Sequence, residues 1–360
     1  MKHQLKYRFA LSVLTAFCSA CAFAAPRLAF QTYAVRDLCE KDFAGTLKAA
    51  KAMGFEGVET GRFYGLDAKG LKAACDEAGL ELVALQLYPH CLTEPQLAET
   101  IRFCKESGAK RINVAWYKGS AENANDWQLL VNVLNHAAAV CAKEGIEVAY
   151  HNHDQEFKIS LHGRTAMEWL YDGDGPGILR QVNETPRFSP LVKQELDIGW
   201  CVLAGGDPLA WLAAHPRRNP TVHVMPAGGQ SVGDANDRAD WKRIIPALVA
   251  DGVEWLVVKP VARPDSLADL KASIDYLRRL PPENRVACAF PVFAHCHAGA
   301  GEEHLLHKGV GAVSALEDHC RNRKARVREK VACLLKALFV DHIQNRLLRL
   351  LFEEARAETS

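Results

Sequence analysis

Several short apolar runs of this sequence end in polar residues, two of them in a pair spaced two positions apart. His151 and His153 end one run, Glu195 and Asp197 end the next, and His223 ends the one after that. Side chains of a β-strand alternate between its two faces, so the two histidines share one face of their strand and the two carboxylates share one face of theirs. Imidazoles and carboxylates that point the same way from neighbouring strand ends suit a metal ion or a sugar.

The apolar runs predict eight β-strands, and segments of helical periodicity separate them. The predicted strands are Leu28–Tyr33, Glu56–Thr60, Glu81–Leu87, Arg111–Trp116, Glu147–Asn152, Lys193–Ile198, Thr221–Met225 and Glu254–Lys259. Predicted helices include Phe43–Met53, Leu71–Ala78, Trp127–Glu144 and Ser266–Leu280. Glycines such as Gly54 and Gly79 stand where helix C-caps are expected.

Eight strand–helix units in residues 27–280 match an α/β fold of the (β/α)8 TIM barrel type, whose sites lie at the carboxyl ends of the strands. An open, doubly wound sheet is the alternative. The segment from Gln31 to Asp37, after the first predicted strand, contains no glycine-rich phosphate loop, and this favours the barrel. The full prediction is a TIM barrel with a C-terminal, mostly helical extension.

Composition excludes some function classes. The 360 residues are 49% hydrophobic and 24% charged, as in ordinary globular proteins, and the formal net charge is +1. Such a charge gives no support for binding to nucleic acid or to an anionic membrane. The chain has 12 cysteines, but outside the N-terminal pair Cys18 and Cys21 none forms the CxxC spacing of a zinc site.

Residues 1–24 have the pattern of an export signal rather than of a folded segment. Lys2, Lys6 and Arg8 precede an apolar run that is shorter than the ~20 residues of a membrane span. Small residues then form a cleavage-site pattern, so the mature chain is expected to begin near Ala25. The sequence predicts a periplasmic or secreted protein with no membrane attachment after signal cleavage.

Residues 281–360 differ from the rest of the chain. Pro281-Pro282 ends the barrel segment, and a long helical stretch from Asn322 to Ala357 carries an apolar stripe. That stripe must pack on the barrel, on a partner or on a second copy, so a homo-oligomer through this helix is one expectation. The role of the extension is left open.

Several motifs together resemble the xylose isomerase-like TIM barrels, the sugar phosphate isomerases and epimerases. They are Gln31-x-Tyr33-x-x-Arg36-Asp37, Gly54-Phe55-x-Gly57-Val58-Glu59, Ala78-Gly79-Leu80, Tyr150-His151-Asn152-His153-Asp154-x-Glu156-Phe157 and Glu195-Leu196-Asp197-x-Gly199-Trp200. The resemblance implies a carbohydrate substrate and a divalent metal (manganese, magnesium, cobalt or zinc) that polarises a sugar carbonyl while carboxylates move a proton. By motif position, Asp197 resembles the aspartate ligand and His223 the histidine ligand.

The sequence departs from that family where the metal would be bound. Met225-Pro226 follows His223 in place of a Lys-Asp pair, Gln86 replaces a third-strand histidine, and Lys259 occupies the place of an eighth-strand ligand glutamate. By strand alternation, Lys259 should point at the Glu195 and Asp197 pair and partly replace a metal. The sequence therefore predicts weak or no metal binding.

Each candidate group also has a structural interpretation. Glu156, Glu195 and Lys259 are the predicted catalytic groups, although a hydrogen bond or a salt bridge would explain them as well. The predicted substrate-binding groups are Glu59, His151, His153 and Trp200. Trp200 and Trp116 suit stacking on a sugar ring, but aromatic residues at a barrel mouth are also common packing residues.

Two function classes follow. The first is a sugar (phosphate) isomerase or epimerase, or a related lyase, that transfers a proton next to a carbonyl. The second is a non-catalytic carbohydrate-binding barrel that has lost its metal ligands. Lys259 and Met225 favour the second class, whereas the histidines and carboxylates at the strand ends favour the first.

Overall fold

The computed structural model describes residues 25–115, 124–173, 187–263 and 266–280. The predicted export signal, Trp116 and the predicted helical extension lie outside these residues.

Eight parallel strands form a closed barrel, as the sequence predicts. They are β1 (Arg27–Gln31), β2 (Gly57–Thr60), β3 (Glu81–Leu87), β4 (Arg111–Ala115), β5 (Glu147–His151), β6 (Val192–Asp197), β7 (Thr221–Val224) and β8 (Trp255–Val258). Neighbours in sequence are neighbours in the barrel, and β8 pairs with β1 to close it.

Helices connect the strands. They span Arg36–Lys41, Phe43–Met53, Ala68–Ala78, Gln96–Ser107, Ala124–Lys143, Gln155–Lys158, Ala166–Asp172, Ile198–Leu203, Pro208–Ala214, Trp241–Asp251 and Ser266–Arg279. Short 3-10 helices cover Thr32–Val35 and Pro89–Leu92, and Ser160–Leu161 pairs with Arg164–Thr165 in a two-stranded hairpin. In the part of the chain that the structure describes, no helix is both long and apolar enough to cross a bilayer.

Local sequence signals set the ends of these elements. The Asp42 side chain accepts a hydrogen bond from the backbone of Gly45 and so caps the helix Phe43–Met53, which ends at Gly54 in the left-handed conformation. The first predicted strand, by contrast, extends too far. The chain turns into a 3-10 helix at Thr32, because the Gln31 side chain accepts a hydrogen bond from the backbone of Tyr33.

The interior of the barrel changes character along its axis. A small apolar cluster fills one part: Ala29, Val83, Ala84, Trp255 and Val257. Gln31 and Lys259 follow Ala29 and Val257 by two positions and therefore share their inward face. The main hydrophobic core lies on the other side of the strands, where residues such as Phe30 and Leu196 pack with the helices. The outer faces of the strands thus pack against the helices, while the inner faces hold an apolar cluster and, further along the strands, polar groups.

Charged residues at the amino ends of the strands are paired with one another. We call them the basal ring: Arg27, Glu56, Glu81, Arg111, Glu147 and Glu254. Arg27 contacts Glu56 at 3.1 Å and Glu81 at 2.5 Å. Arg111 contacts Glu147 at 2.7 Å and also pairs with Glu254. This ring joins strands at the end of the barrel opposite the candidate site.

Candidate functional site

The carboxyl ends of β5 to β8 bring the predicted polar groups together. Pairing places Asp197 beside His223 and His151 beside Glu195. His223 lies next to Val257, two residues before Lys259. Because all strands are parallel, these residues reach the same mouth of the barrel. The predicted gathering of these side chains is therefore present in the structure.

A buried set of hydrogen-bonded groups lies inside the barrel. We call it the carboxylate cluster: Glu59, Asn113, Glu195, Thr221 and His223, all with no exposed surface. Asn113 Nδ2 donates to Glu59 Oε2 and to Glu195 Oε1, both at 2.6 Å. His223 Nε2 lies 2.9 Å from Glu59 Oε1 and 3.2 Å from Glu195 Oε2. Two carboxylates thus share the same amide and the same imidazole.

The charges of this cluster follow from its burial. Burial disfavours the imidazolium form, but the carboxylates of Glu195 and Glu59 outweigh it and raise the pKa of His223 to about 10. Burial also opposes ionisation of Glu59, yet the charge of His223 lowers the pKa of that carboxyl. For Glu195, burial and the neighbouring Glu59 charge raise the pKa well above its ordinary value. The two glutamates thus differ, since the pKa of Glu59 is lowered and that of Glu195 is raised, although both carboxyl groups contact the same imidazole.

Lys259 lies among the residues at the mouth. We call these the mouth group: His151, His153, Asp197, Trp200 and Lys259. Lys259 Nζ lies 3.4 Å from Asp197 Oδ2, and its side chain is 12% exposed. It also lies 3.8 Å from Met225 Sδ and 5.8 Å from the centre of the Trp200 ring. The ammonium points at Asp197 rather than at solvent; of the predicted Glu195 and Asp197 pair, Asp197 is the carboxylate that it contacts.

The two histidines of the mouth group are neutral at neutral pH. Burial, together with the charge of His223, lowers the pKa of His151 well below its ordinary value. Burial and the charge of Lys259 lower the pKa of His153 to about 4. The two rings are 5.0 Å apart in an edge-on arrangement. Both imidazoles are thus in the form that accepts a proton.

An open cavity of about 440 Å³ lies at the mouth of the barrel, and His151, His153, Trp200 and Lys259 all line it. Its remaining lining includes the amides Gln31 and Gln86 and the exposed rings of Tyr33 and Tyr88. Gln31 Nε2 donates to Gln86 Oε1 at 2.6 Å, whereas Gln86 Nε2 is buried without a hydrogen-bond partner. The cavity thus combines polar groups with aromatic faces.

Two of the predicted site residues have positions that their motifs did not reveal. Glu156 accepts hydrogen bonds from the Tyr150 hydroxyl at 2.6 Å and from the His153 backbone at 2.8 Å. Because Tyr150 packs in the core outside the strands, Glu156 is held there and fixes the backbone of His153. Glu59 is fully buried in the carboxylate cluster.

Asn113 and Thr221 were not identified from the sequence as members of the site. Thr221 Oγ1 donates to Glu195 Oε1 at 2.8 Å, and Asn113 links the two glutamates. A signal was nevertheless present for Asn113, since it is a polar residue in the middle of the apolar run Arg111–Ala115. A buried polar side chain needs a partner, so such a residue indicates a network inside the barrel.

The donor atoms at this site decide whether it fits a divalent metal. Two groups have ligand atoms within 4.8 Å of one another, namely His151 with Asp197 and His223, and Glu59 with Glu195 and His223. However, Lys259 Nζ lies 3.4 Å from the one carboxylate of the first group, and the carboxylates of the second group already accept hydrogen bonds from Asn113 and Thr221. A second cation here would meet strong repulsion. These residues therefore do not fit a resident divalent ion.

Comparisons with known proteins agree on the fold. Residues 47–280 match the family model of the xylose isomerase-like TIM barrel. An inosose dehydratase from Clostridium botulinum is 27% identical over 207 residues, which are 51% of this chain and 63% of that enzyme. The chain thus spans less than two thirds of this curated relative.

Solved structures share the barrel at lower identity. A sugar phosphate isomerase/epimerase from Parabacteroides distasonis is 21% identical, with a TM-score of 0.59 and coverage of 71% of this chain and 99% of that chain. A structure of L-ribulose 3-epimerase is 12% identical, with a TM-score of 0.54 and coverage of 77% of this chain and 99% of that chain. Since the family model matches most of the chain, this protein belongs to the xylose isomerase-like TIM barrel family.

Proposed function

We propose that this protein is a sugar isomerase- or epimerase-like enzyme that moves a proton next to a carbonyl of a carbohydrate without a resident divalent ion. The observation that carries this proposal is the convergence of one ammonium group and two neutral imidazoles on one cavity. Removal of a proton next to a carbonyl needs a base near the carbon and positive charge near the oxygen. The mouth group supplies both.

Lys259 supplies the positive charge. When a proton leaves the carbon, negative charge develops on the carbonyl oxygen, and an ammonium group fixed beside that oxygen stabilises it. Asp197 Oδ2, at 3.4 Å, orients the ammonium. The charge of Lys259 also lowers the pKa of Asp197, although burial opposes this, so the carboxylate stays ionised and keeps its hold on Lys259.

His153 and His151 supply the bases. Each is neutral and lines the cavity, so each can accept a proton from carbon and return it to the same or a neighbouring carbon. Glu195 Oε2 lies 3.5 Å from His151 Nδ1, and burial together with the charge of Glu59 raises the pKa of Glu195 well above its ordinary value. The carboxylate cluster thus contacts His151 from behind the cavity.

The cavity suits a sugar. Trp200, Tyr33 and Tyr88 offer aromatic faces to C–H groups, while Gln31 and Gln86 offer amide groups to hydroxyls. The relatives support the same substrate class, since they are an inosose dehydratase, a sugar phosphate isomerase/epimerase and an L-ribulose 3-epimerase. Export to the periplasm or outside the cell is part of the proposal and rests on residues 1–24 alone.

Hydrogen exchange with solvent tests the proposal. The purified protein is incubated in D₂O with ketopentoses, ketohexoses, an inosose and their phosphate esters, and proton NMR follows the C–H groups next to each carbonyl. We expect enzyme-dependent loss of one such signal, unchanged by chelator. Binding of a sugar without exchange would support the non-catalytic carbohydrate-binding barrel instead.

A further inference from the structure

The lining of the cavity divides by strand into two walls. His151, His153, Trp200 and Lys259 come from the ends of β5, β6 and β8, and the proposed proton transfer takes place beside them. The residues that follow β1, β2 and β3 form the other wall. We call it the aromatic wall: Tyr33, Arg62 and Tyr88. A substrate that is larger than its reacting sugar therefore extends along the aromatic wall.

Two tyrosine rings of the aromatic wall are exposed. Tyr33 is 49% exposed and Tyr88 is 55% exposed, and both line the cavity. In the described part of the chain, the other exposed large hydrophobic side chains, Leu129, Leu191 and Val261, lie outside its lining. Single exposed apolar residues are common on protein surfaces, but two aromatic rings at one cavity indicate a binding surface.

The Tyr33 ring is held in position from behind. Tyr33 lies in the 3-10 helix Thr32–Val35, and its backbone N–H donates to the side chain of Gln31. The guanidinium carbon of Arg36 lies 4.5 Å from the centre of the Tyr33 ring, in a cation–π contact. A ring that is fixed in this way binds a flat partner with little loss of conformational freedom.

The Tyr88 ring is held in a similar way. Tyr88 directly precedes the 3-10 helix Pro89–Leu92, and its backbone oxygen accepts a hydrogen bond from Cys91 at 3.0 Å. The His90 ring stacks on it, with 5.9 Å between the ring centres and 13° between the ring planes. The two short 3-10 helices after β1 and β3 thus present one braced tyrosine each to the same cavity.

The charges near the tyrosines favour a neutral group over a phosphate. Arg62 pairs with Glu40, and Arg36 lies 3.7 Å from Asp37. Both guanidinium groups thus already have a carboxylate partner, whereas recognition of a phosphate uses arginines that pair with the phosphate itself. The apolar face of a sugar ring, by contrast, packs on aromatic rings, while its hydroxyls bond to polar groups at their edge.

We propose that the substrate carries a second sugar ring in glycosidic linkage and that this ring lies on Tyr33 and Tyr88, an inference that rests on the function proposed above. The reacting keto sugar lies beside Lys259 and the two histidines, and the second ring lies on the aromatic wall. The substrate class is then a glycoside of a keto sugar rather than a free ketose or its phosphate ester. Each tyrosine contributes to affinity by packing on a ring face.

A matched series of ketoses tests the second ring. Fructose, fructose 6-phosphate, isomaltulose and lactulose contain the same ketohexose, and the last two carry a second sugar ring. They are added to the panel of the hydrogen-exchange assay described above. We expect kcat/KM for a two-ring ketose to exceed that of the best single-ring sugar by at least about tenfold. A free ketose or a phosphate ester as the best substrate would overturn the second ring and leave the proposed function standing, whereas exchange with no sugar would overturn both.

Substitution of the tyrosines gives an independent measurement. Tyr33→Ala and Tyr88→Ala should each raise KM for the two-ring ketose by roughly 3- to 10-fold, with a smaller effect on KM for free fructose. Tyr33→Phe and Tyr88→Phe keep the ring and should restore KM to within about twofold of native. Leu129→Ala, which removes an exposed side chain outside the cavity lining, is the control, and circular dichroism shows whether each variant is folded. The same rise in KM for both sugars, or no rise for either, would overturn the inference.

Discussion

The two ends of the barrel use charged residues differently. At the amino ends of the strands, the basal ring pairs Arg27 and Arg111 with glutamates at short distances and partial solvent exposure. At the carboxyl ends, His151, Asp197 and Lys259 make contacts of 3.4 to 3.5 Å around a cavity, and Gln86 Nε2 is buried without a partner. The charges of the basal ring are paired with one another, whereas the mouth has longer contacts and an amide without a hydrogen-bond partner on its cavity wall.

This difference indicates where stability and function are located. Charges that pair with each other near solvent contribute modestly to the free energy of folding and bind nothing else. Buried polar groups without full partners are costly, so they persist where a ligand completes them. Substitutions in the basal ring should therefore affect stability, and substitutions in the mouth group should affect activity.

The largest effect is expected from removal of the charge at the mouth. Lys259→Met should lower the rate of solvent exchange by roughly 10² to 10³-fold, because the developing oxyanion loses its positive partner. The rate constant measured by NMR checks this. Lys271→Met, which removes a surface ammonium paired with Asp275 at 2.5 Å, is the matched control and should keep the native rate. Equal rates for both variants would contradict a catalytic role of the mouth.

Replacement of the Lys259 ammonium by a carboxylate should create a metal site. Native protein is expected to bind manganese weakly or not at all, and Lys259→Glu should bind it roughly a hundredfold more tightly, because a repulsive cation becomes an oxygen ligand beside Asp197 and His223. Calorimetric titration of both proteins measures the two affinities. Tight binding by the native protein, or no gain in the variant, would show that Lys259 does not occupy the place of a metal.

At the opposite end, Arg111→Met should lower stability rather than activity. Its side chain is 9% exposed and pairs with two glutamates that are more exposed, so we expect a loss of about 1–2 kcal/mol in the free energy of unfolding. Urea denaturation measures the loss. Exchange activity per folded molecule should be unchanged. A large fall in activity without destabilisation would contradict the assignment of the basal ring to stability and of the mouth group to activity.

The pH dependence should reflect the burial of His153. Its pKa is lowered to about 4, so the imidazole remains neutral and basic from pH 7 down to about pH 5, and activity should be lost only near pH 4. The same shift removes stability as the pH falls from 6.5 towards 4, because the unfolded chain takes up this proton first. NMR titration of the His153 ring checks the value, and a midpoint near 6.5 would contradict it.

The smallest effect is expected for Glu156→Gln. The carboxyl group lies outside the barrel interior and accepts from Tyr150 and from the His153 backbone. Glutamine keeps an acceptor for the Tyr150 hydroxyl and loses the one for the His153 N–H, so only the positioning of His153 is affected. We expect the exchange rate to stay within about threefold of native. A fall comparable to that of Lys259→Met would restore the catalytic role that the sequence motif suggests for this residue.

Much of the fold was predictable because strand periodicity and helix caps are local properties. The alternation along Glu147–Asn152 and Lys193–Ile198 assigned His151 and Asp197 to inward faces before their neighbours were known, and the structure brings both to the mouth. The turn after Gln31 was not predicted, because it depends on one side chain bonding to the backbone two residues later. The sequence thus predicted which segments are strands and helices better than it predicted the residue at which each one ends.

The sequence by itself determined eight strands and the shared faces of the polar residues at several of their ends, and it placed Lys259 where the family resemblance implies a ligand glutamate. Only the tertiary structure decided which of these groups touch. Glu59 and His223 are 164 residues apart and meet at 2.9 Å because closure of the barrel brings β2 and β7 to face each other across its interior. Glu156, one turn beyond His153, lies in the outer core instead. Periodicity gives the face of a strand, but barrel curvature and side-chain direction decide the partner.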